Sequence, residues 1–274
     1  MNPLVFVLCA LALSALGGLV GSLVGLGGGI VVVPGLTLLL GVDIKVAIAA
    51  SMIAVIATSS GSAVAYTRDR MSNLRVAMFL EVSTVCGGIC GALLVGIANP
   101  SLLNGFFAAV LLIAAATMMR RRHDASAGPP SALADRLELH GSYPDARTGR
   151  EHPYRVSRPA VGFAIMYFAG VASGMLGIGG GVFKVPAMDL AMRLPIKVST
   201  ATSNLMIGVT GTAAALIYLL RGDVNPVVAA PVAIGVLGGA NLGARLMPRV
   251  HDGVLRRLFV VVMVLTAVQM AAKI

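Results

Sequence analysis

Charged and aromatic residues are scarce in this sequence, and tryptophan is absent. Only 12% of the 274 residues are charged, whereas 57% are hydrophobic, a balance that excludes an ordinary soluble domain. The net charge of +10 comes without a basic stripe interleaved with aromatic residues, so no nucleic-acid partner is predicted. Cys9, Cys86 and Cys90 lie inside apolar runs without metal-site spacing. We interpret them as small packing residues, and we predict no cofactor and no metal.

Long apolar runs take up most of the chain, which indicates an all-α integral membrane protein with the lipid bilayer as its solvent. They lie at about residues 3–23, 30–40, 44–66, 75–97 and 101–119, and again at about 159–177, 182–192, 196–219, 226–246 and 254–272. The short alternating strands of a membrane barrel are absent from the sequence. We therefore divide the chain into a membrane repeat at 1–119, a polar linker at 120–158 with the pattern of a small hairpin, and a second membrane repeat at 159–274.

An internal repeat is the most informative feature of the sequence. Residues 17–107 align with residues 169–259 at a constant offset of 152 without a gap. The informative coincidences involve glycine, proline and polar residues rather than apolar ones. They include Gly27-Gly28-Gly29 with Gly179-Gly180-Gly181, Pro34 with Pro186, Ser51 with Ser203, Thr58 with Thr210, Tyr66 with Tyr218 and Asn73 with Asn225. The protein is two copies of one unit.

The distribution of lysine and arginine predicts that the two copies are inverted in the membrane. If each repeat begins with a re-entrant hairpin and continues with three crossings, 17 of the 21 basic residues lie on the cytoplasmic side, as the positive-inside rule requires. A parallel arrangement with four crossings per repeat gives a weaker asymmetry. We therefore expect both termini to be extracytoplasmic, in a bacterial inner membrane.

The glycine-rich motif of each repeat predicts a helix break below the membrane surface. The segments at 30–40 and 182–192 are too short to span the bilayer as helix, and broken helices in inverted repeats are typical of secondary transporters. Consecutive glycines can adopt positive φ and let an anion approach the backbone, and Pro34 and Pro186 suit the first turn of the following helix. The alternative is tight helix packing through small residues.

Polar residues follow each break and extend the candidate anion site. The predicted contacts are Gly27, Gly28, Gly29, Ser51 and Thr58 in the first repeat, and Gly179, Gly180, Gly181, Lys184, Thr202, Ser203, Asn204 and Thr210 in the second. Hydroxyl and amide groups can replace part of an anion's hydration shell. Each of these side chains can instead bond to its own helix or to a neighbouring helix.

Three further polar residues lie within apolar segments. Lys184 is the candidate charged contact, with mutual neutralisation by Asp189, or snorkelling, as the alternative. For Glu81 we favour snorkelling to Arg75 over a role as proton carrier. Asn241 is assigned to packing.

The duplicated pattern Gly-x-Gly-Gly-Gly-x4-Pro, with Ala201-Thr202-Ser203-Asn204 after the second copy, resembles the TauE/SafE sulfite exporter family, also called the toluenesulfonate uptake permease family. The resemblance covers nearly the whole chain and extends to the linker, with its His140-Gly-Ser-Tyr143 stretch. It implies transport of a sulfur-containing anion such as sulfite or an organosulfonate.

The leading hypothesis is therefore a secondary transporter of a small anion, coupled to a proton or ion gradient, with its site at the two glycine breaks. An anion channel, or a transporter of another small anionic metabolite, is the alternative. An intramembrane enzyme or an assembly scaffold is a third hypothesis, but no HExxH, GxSxG or P-loop lysine motif supports catalysis. The sequence does not determine the oligomeric state.

Overall fold

The computed structural model describes residues 3–96, 98–119, 131–145, 150–177 and 179–271, and this part of the chain is mainly helical. Six of its helices are long and apolar enough to cross a membrane. They confirm the prediction of an all-α, multi-pass membrane protein. The lipid-facing surfaces carry many exposed large apolar side chains, including Leu93, Phe168 and Leu220.

The first half of the chain folds into five helices. They are α1 (Pro3–Val24), α2 (Gly29–Leu38), α3 (Ile44–Arg68), α4 (Leu74–Val95) and α5 (Pro100–Met119). Asn73 caps α4 by accepting a hydrogen bond from the N–H of Val76, which satisfies one of the donors left open at a helix start. The 10 residues of α2 make a helix about 15 Å long, half of what a crossing requires.

The second half repeats this order with a different short helix. It contains α7 (Pro159–Leu176), α8 (Gly181–Pro186) with a π-helical turn (Ala187–Ala191), α9 (Ile196–Leu220), α10 (Pro226–Leu246) with a 3-10 turn (Met247–Arg249), and α11 (Asp252–Ala271). Asn225 caps α10 as Asn73 caps α4. The helix starts therefore follow the sequence repeat.

The described part of the linker forms α6 (Ala132–Arg136) and an antiparallel hairpin of β1 (Gly141–Asp145) and β2 (Arg150–Tyr154). Asn73 Nδ2 donates to the backbone oxygen of Leu139 and to the Tyr154 hydroxyl, both at 2.9 Å. Burial raises the pKa of the Tyr154 phenol, so it remains a neutral hydrogen-bonding group. The N–H of Ser157 donates to Met192 O at 2.9 Å. The linker is therefore attached to the start of α4 and to the end of the π-helical turn.

The long helices pack in pairs that combine one helix from each half: α1 packs with α10, and α4 packs with α7. Since α7 is the repeat copy of α1 and α10 is the copy of α4, the two interfaces are equivalent. Small residues bring the backbones together: a Cβ at Gly18 would overlap the backbone of Val236, and one at Gly174 would overlap that of Gly88. This is how helices associate closely in lipid.

The cysteines lie on the exposed sides of their helices rather than in the buried interfaces. Cys9, Cys86 and Cys90 are free and exposed, so our interpretation of them as packing residues is wrong. Interfaces within the bundle are instead built from glycine, alanine and serine, which allow a closer approach of the helix backbones.

Helices α3 and α9 are repeat copies of each other and cross at the centre of the bundle. Ser59 of α3 contacts Gly208 of α9, whereas Val55, one turn earlier in α3, contacts Gly211, further along α9. The order of these contacts along α3 is therefore the reverse of their order along α9. The two helices therefore run antiparallel.

Candidate functional site

The two glycine motifs form backbone turns between the helices of each hairpin. Positive φ angles, between 70° and 80°, occur at Gly25, Gly27 and Gly28 and at their repeat counterparts Gly177, Gly179 and Gly180. A residue with a Cβ would lose about 1–2 kcal/mol in this left-handed region. The glycines are therefore required by the backbone itself, and Gly29 and Gly181 begin the next helices.

The sequence suggested that the prolines occupy the first turn of the short helices, but the structure places them later. Pro34 lies in the second turn of α2, and Pro186 is the last residue of α8. The helices start directly at the third consecutive glycine, which places each proline later than expected. Because proline has no N–H, it removes a helical hydrogen bond, and in the second repeat the chain continues from Pro186 into the π-helical turn.

The two turns contact each other where the halves meet. A Cβ on Gly181 would overlap the backbone oxygen of Gly25. Ser203 Oγ donates to Gly25 O at 2.9 Å, and Ser51 Oγ donates to Gly177 O at 2.6 Å. These two bonds are equivalent under the repeat offset, because each serine donates to the glycine turn of the other half.

Thr58, Thr202 and Asn204 have different surroundings. Thr58 Oγ1 lies 2.8 Å from Ala54 O, in its own helix, and 3.3 Å from Gly27 O. Asn204 Nδ2 donates to Ser22 O at 2.9 Å, just before the first turn. Thr202 Oγ1 accepts from the N–H of Asn73 at 2.9 Å, so this side chain supports the start of α4. The structure therefore places Thr58 and Asn204 beside the first turn and Thr202 at the start of α4.

Lys184 is a charged residue in α8, directly after the second glycine turn. Its side chain is fully buried, and its Nζ donates to Thr210 Oγ1 at 2.7 Å. The Thr210 hydroxyl donates in turn to Glu81 Oε1, and Glu81 Oε2 lies 3.7 Å from Lys184 Nζ. Three helices, α8, α9 and α4, thus bring together a cation, a hydroxyl and a carboxylate.

This cluster, Lys184–Thr210–Glu81, bears on the Asp189 alternative for Lys184 and corrects our interpretation of Glu81. The ion-pair partner of Lys184 is Glu81, not Asp189. Glu81 does not reach toward Arg75, because Arg75 pairs at the surface with Glu138 at 2.7 Å. Spacing along α4 indicates only which residues of the same helix could pair with Glu81. Lys184 instead reaches Glu81 from the other half of the protein.

A second polar feature is a cavity of about 810 Å³ where α3 and α10 end. Its lining residues are Ser60, Gly61, Arg68, Asp69, Asn241, Arg245 and Arg249. Three arginines against one aspartate make this cavity electropositive. Asn241 is exposed in its wall, so assigning it to packing was wrong. The sequence analysis used these arginines only for orientation, because nothing local in the sequence indicates that α3 and α10 meet.

The fold and the site together define the class of the protein: it is a multi-pass helical membrane protein of the transporter type, with two glycine turns in contact and a buried lysine one helical turn after the second. The family follows from a match of residues 10–270 to the sequence model of "Sulfite exporter TauE/SafE". The chain belongs to this family, which confirms the resemblance found in the sequence.

Relatives with the same general description support the class. The chain is 29% identical over 265 residues to "Probable membrane transporter protein YunE" of Bacillus subtilis (strain 168), covering 94% of each chain. It is 26% identical over 237 residues to "Probable membrane transporter protein YdhB" of the same organism, covering 85% of this chain and 88% of the other. A "Probable membrane transporter protein" of Xylella fastidiosa (strain Temecula1 / ATCC 700964) is 31% identical over 140 residues, 50% of this chain and 53% of that one. No solved structure matches the chain significantly.

Proposed function

We propose that this protein is a secondary transporter of a small sulfur-containing anion, sulfite or an organosulfonate, and that the anion binds where the two glycine turns meet. The observation that carries the proposal is the fully buried ammonium group of Lys184, one turn after Gly180. A charge at this depth costs at least about 2.5 kcal/mol unless it faces protein or water. Such residues in membrane helices are associated with substrate and ion pathways.

The predicted anion contacts fit this proposal unequally. Thr210 contacts the ammonium group directly, and the glycine turns allow close approach of a ligand to the backbone. Ser51 and Ser203 each hold a turn of the other half, so they position the site. Thr202 is a peripheral residue in this scheme, since it bonds to the start of α4.

Three observations support inverted repeats with both termini extracytoplasmic. Helices α3 and α9 are repeat copies and run antiparallel. Arg68 lies in one cavity with Arg245 and Arg249, whereas parallel repeats would place Arg68 at the opposite end from the other two. The linker contacts Met192, which brings Arg193 to the linker side. These groupings agree with a cytoplasmic location of the linker and the basic loops.

The arginine-lined cavity serves in this proposal as the cytoplasmic vestibule of an inner-membrane transporter. A concave surface with excess positive charge raises the local concentration of anions. Gly181 lies directly against the backbone of Gly25, and in this proposal that contact closes the path through the bundle. Passage of an anion then requires the helices to move, which favours a carrier over a channel.

The test is uptake of labelled sulfite, methanesulfonate and taurine into liposomes containing the purified protein. Lys184→Gln should reduce uptake of the transported anion about tenfold, equivalent to about 1.4 kcal/mol, and Lys184→Arg should retain more activity because it keeps the charge. Lys45→Gln, the same substitution at a partly exposed position at the start of α3, is the matched control. Normal uptake by Lys184→Gln would show that the lysine does not bind substrate, and no uptake of any of the three compounds by the wild type would refute the substrate class.

A further inference from the structure

We propose that Glu81 carries the coupling proton of this transporter, so that each anion held by Lys184 travels with one proton on the Glu81 carboxylate. The inference rests on the proposed function, in which Lys184 binds the anion. It adds the identity of the coupling ion, the residue that carries it and a stoichiometry.

Burial of the pair is the first step of the argument. Lys184 is 0% exposed and Glu81 is 9% exposed, so water does not screen their charges effectively. Thr210 fixes one carboxylate oxygen, while Glu81 Oε2 has no hydrogen-bond partner among the described residues and lies 3.7 Å from Lys184 Nζ. A buried acceptor oxygen without a donor is energetically costly. It is also the atom on which a proton can be placed without breaking an existing hydrogen bond.

Charge balance is the second step. The ammonium and the carboxylate are neutral together, and a monovalent anion arriving alone would leave the buried site with a charge of −1. Like charges repel more strongly in a buried site than in water, because the effective dielectric constant there is lower, so the Glu81 carboxylate would repel the anion. If a proton arrives as well, the carboxylate becomes a neutral carboxyl group, and the Lys184 ammonium pairs with the anion instead. The site is then neutral both empty and loaded.

Among the contacts of the described residues, the charged neighbour of Glu81 is Lys184. Thr210 comes from α9 and Lys184 from α8. On α7, the Tyr167 hydroxyl contacts Cys90, which lies more than two helical turns beyond Glu81 on α4. Arg75, on its own helix, pairs with Glu138 at the surface. The buried residues Asp189 and Lys197 have contacts of their own.

The repeat offset predicts the stoichiometry. The counterparts of Lys184 and Glu81 are Val32 and Ala233, which can carry neither charge nor proton. The duplication of the backbone therefore does not duplicate this acid–base pair. One such pair binds one proton with one monovalent anion.

The experiment measures proton and anion movement together in liposomes containing the purified protein. Methanesulfonate is the probe, because it has no proton to exchange near neutral pH. For the wild type, an acidic exterior should drive accumulation of labelled methanesulfonate, with about one proton entering per anion as reported by a trapped pH-sensitive dye. Glu81→Gln should lose this accumulation, and its exchange of internal for external anion should no longer depend on pH. Glu81→Asp should retain coupling at a lower rate.

Glu138→Gln is the matched control, since it makes the same change in an exposed ion pair, and it should behave like the wild type. Accumulation by Glu81→Gln at the wild-type level would overturn the proton assignment and leave the anion site intact. Failure of the wild type to transport any tested anion would instead overturn the proposed function. If Glu81→Gln does not elute as a folded protein, the wild-type proton count decides alone: anion uptake without protons excludes the proposal.

Discussion

Replacing Gly180 with alanine tests whether the glycine turn is part of the transport mechanism. Gly180 has a φ of 73°, so the added methyl group costs about 1–2 kcal/mol through backbone strain alone. The new Cβ would also lie 3.1 Å from Ala169 O, 3.1 Å from Ser173 Cβ and 3.3 Å from Lys184 Cε. Each of these atoms must shift by a few tenths of an ångström. We therefore expect Gly180→Ala to displace the Lys184 side chain as well as strain the turn.

Two other glycines separate strain from crowding. Gly41 has a φ of 66° with no atom within 4 Å of its Cβ position, so alanine there adds strain alone. Gly238 has the same open space within helix α10 and no positive φ. Alanine at Gly238 should be neutral or stabilising by up to about 1 kcal/mol, and alanine at Gly41 should destabilise by about 1–2 kcal/mol.

Gly28→Ala extends the test to the first repeat. Gly28 has a φ of 70°, and its Cβ would lie 3.1 Å from Thr58 Oγ1 and 3.4 Å from Gly17 O. The backbone strain equals that at Gly180, but the crowded neighbours do not include the lysine. We expect Gly28→Ala to lose transport too, because the two turns support each other.

Two measurements distinguish the variants: thermal unfolding of the purified protein in detergent, and the initial rate of labelled anion uptake per reconstituted molecule. Gly28→Ala, Gly41→Ala and Gly180→Ala should unfold at lower temperatures than the wild type. Only Gly180→Ala and Gly28→Ala should lose uptake, by about tenfold or more, which corresponds to about 1.4 kcal/mol. Uptake by Gly180→Ala equal to that of Gly41→Ala would refute the reasoning, since strain alone would then account for every effect of the methyl group.

Three further predictions concern topology, packing and the vestibule. A cysteine at Asp223 should react with an impermeant thiol reagent in intact cells and one at His251 should not; the reverse pattern would exclude inverted repeats with outside termini. Ser203→Ala leaves the buried Gly25 oxygen without its 2.9 Å donor and should destabilise the protein by about 1–3 kcal/mol, whereas an unchanged unfolding temperature would show that the bond is dispensable. Arg245→Gln should slow anion capture from the arginine side at low salt and much less at high salt, and an effect equal at both would argue against an electrostatic role.

Local features of the sequence were sufficient to predict the fold class and the helix breaks. The length and composition of an apolar run determine whether it can cross a bilayer, and consecutive glycines permit positive φ without any help from neighbours. The offset of 152 predicts that Gly28 and Gly180 have equivalent backbones, and their φ angles of 70° and 73° agree. These properties depend on a few adjacent residues, or on the comparison of two segments.

Contacts between the halves were decided only by the tertiary structure. Membrane helices are apolar on most sides, so hydrophobic periodicity does not mark the face that turns inward. For this reason the exposed position of Cys86 and the cavity contact of Asn241 were not predictable. Glu81 looked like a snorkelling residue because its own helix offers only Arg75, while its true partner, Lys184, comes from a short helix of the other repeat. Sequence periodicity places residues on one helix, but helix packing determines which charges meet.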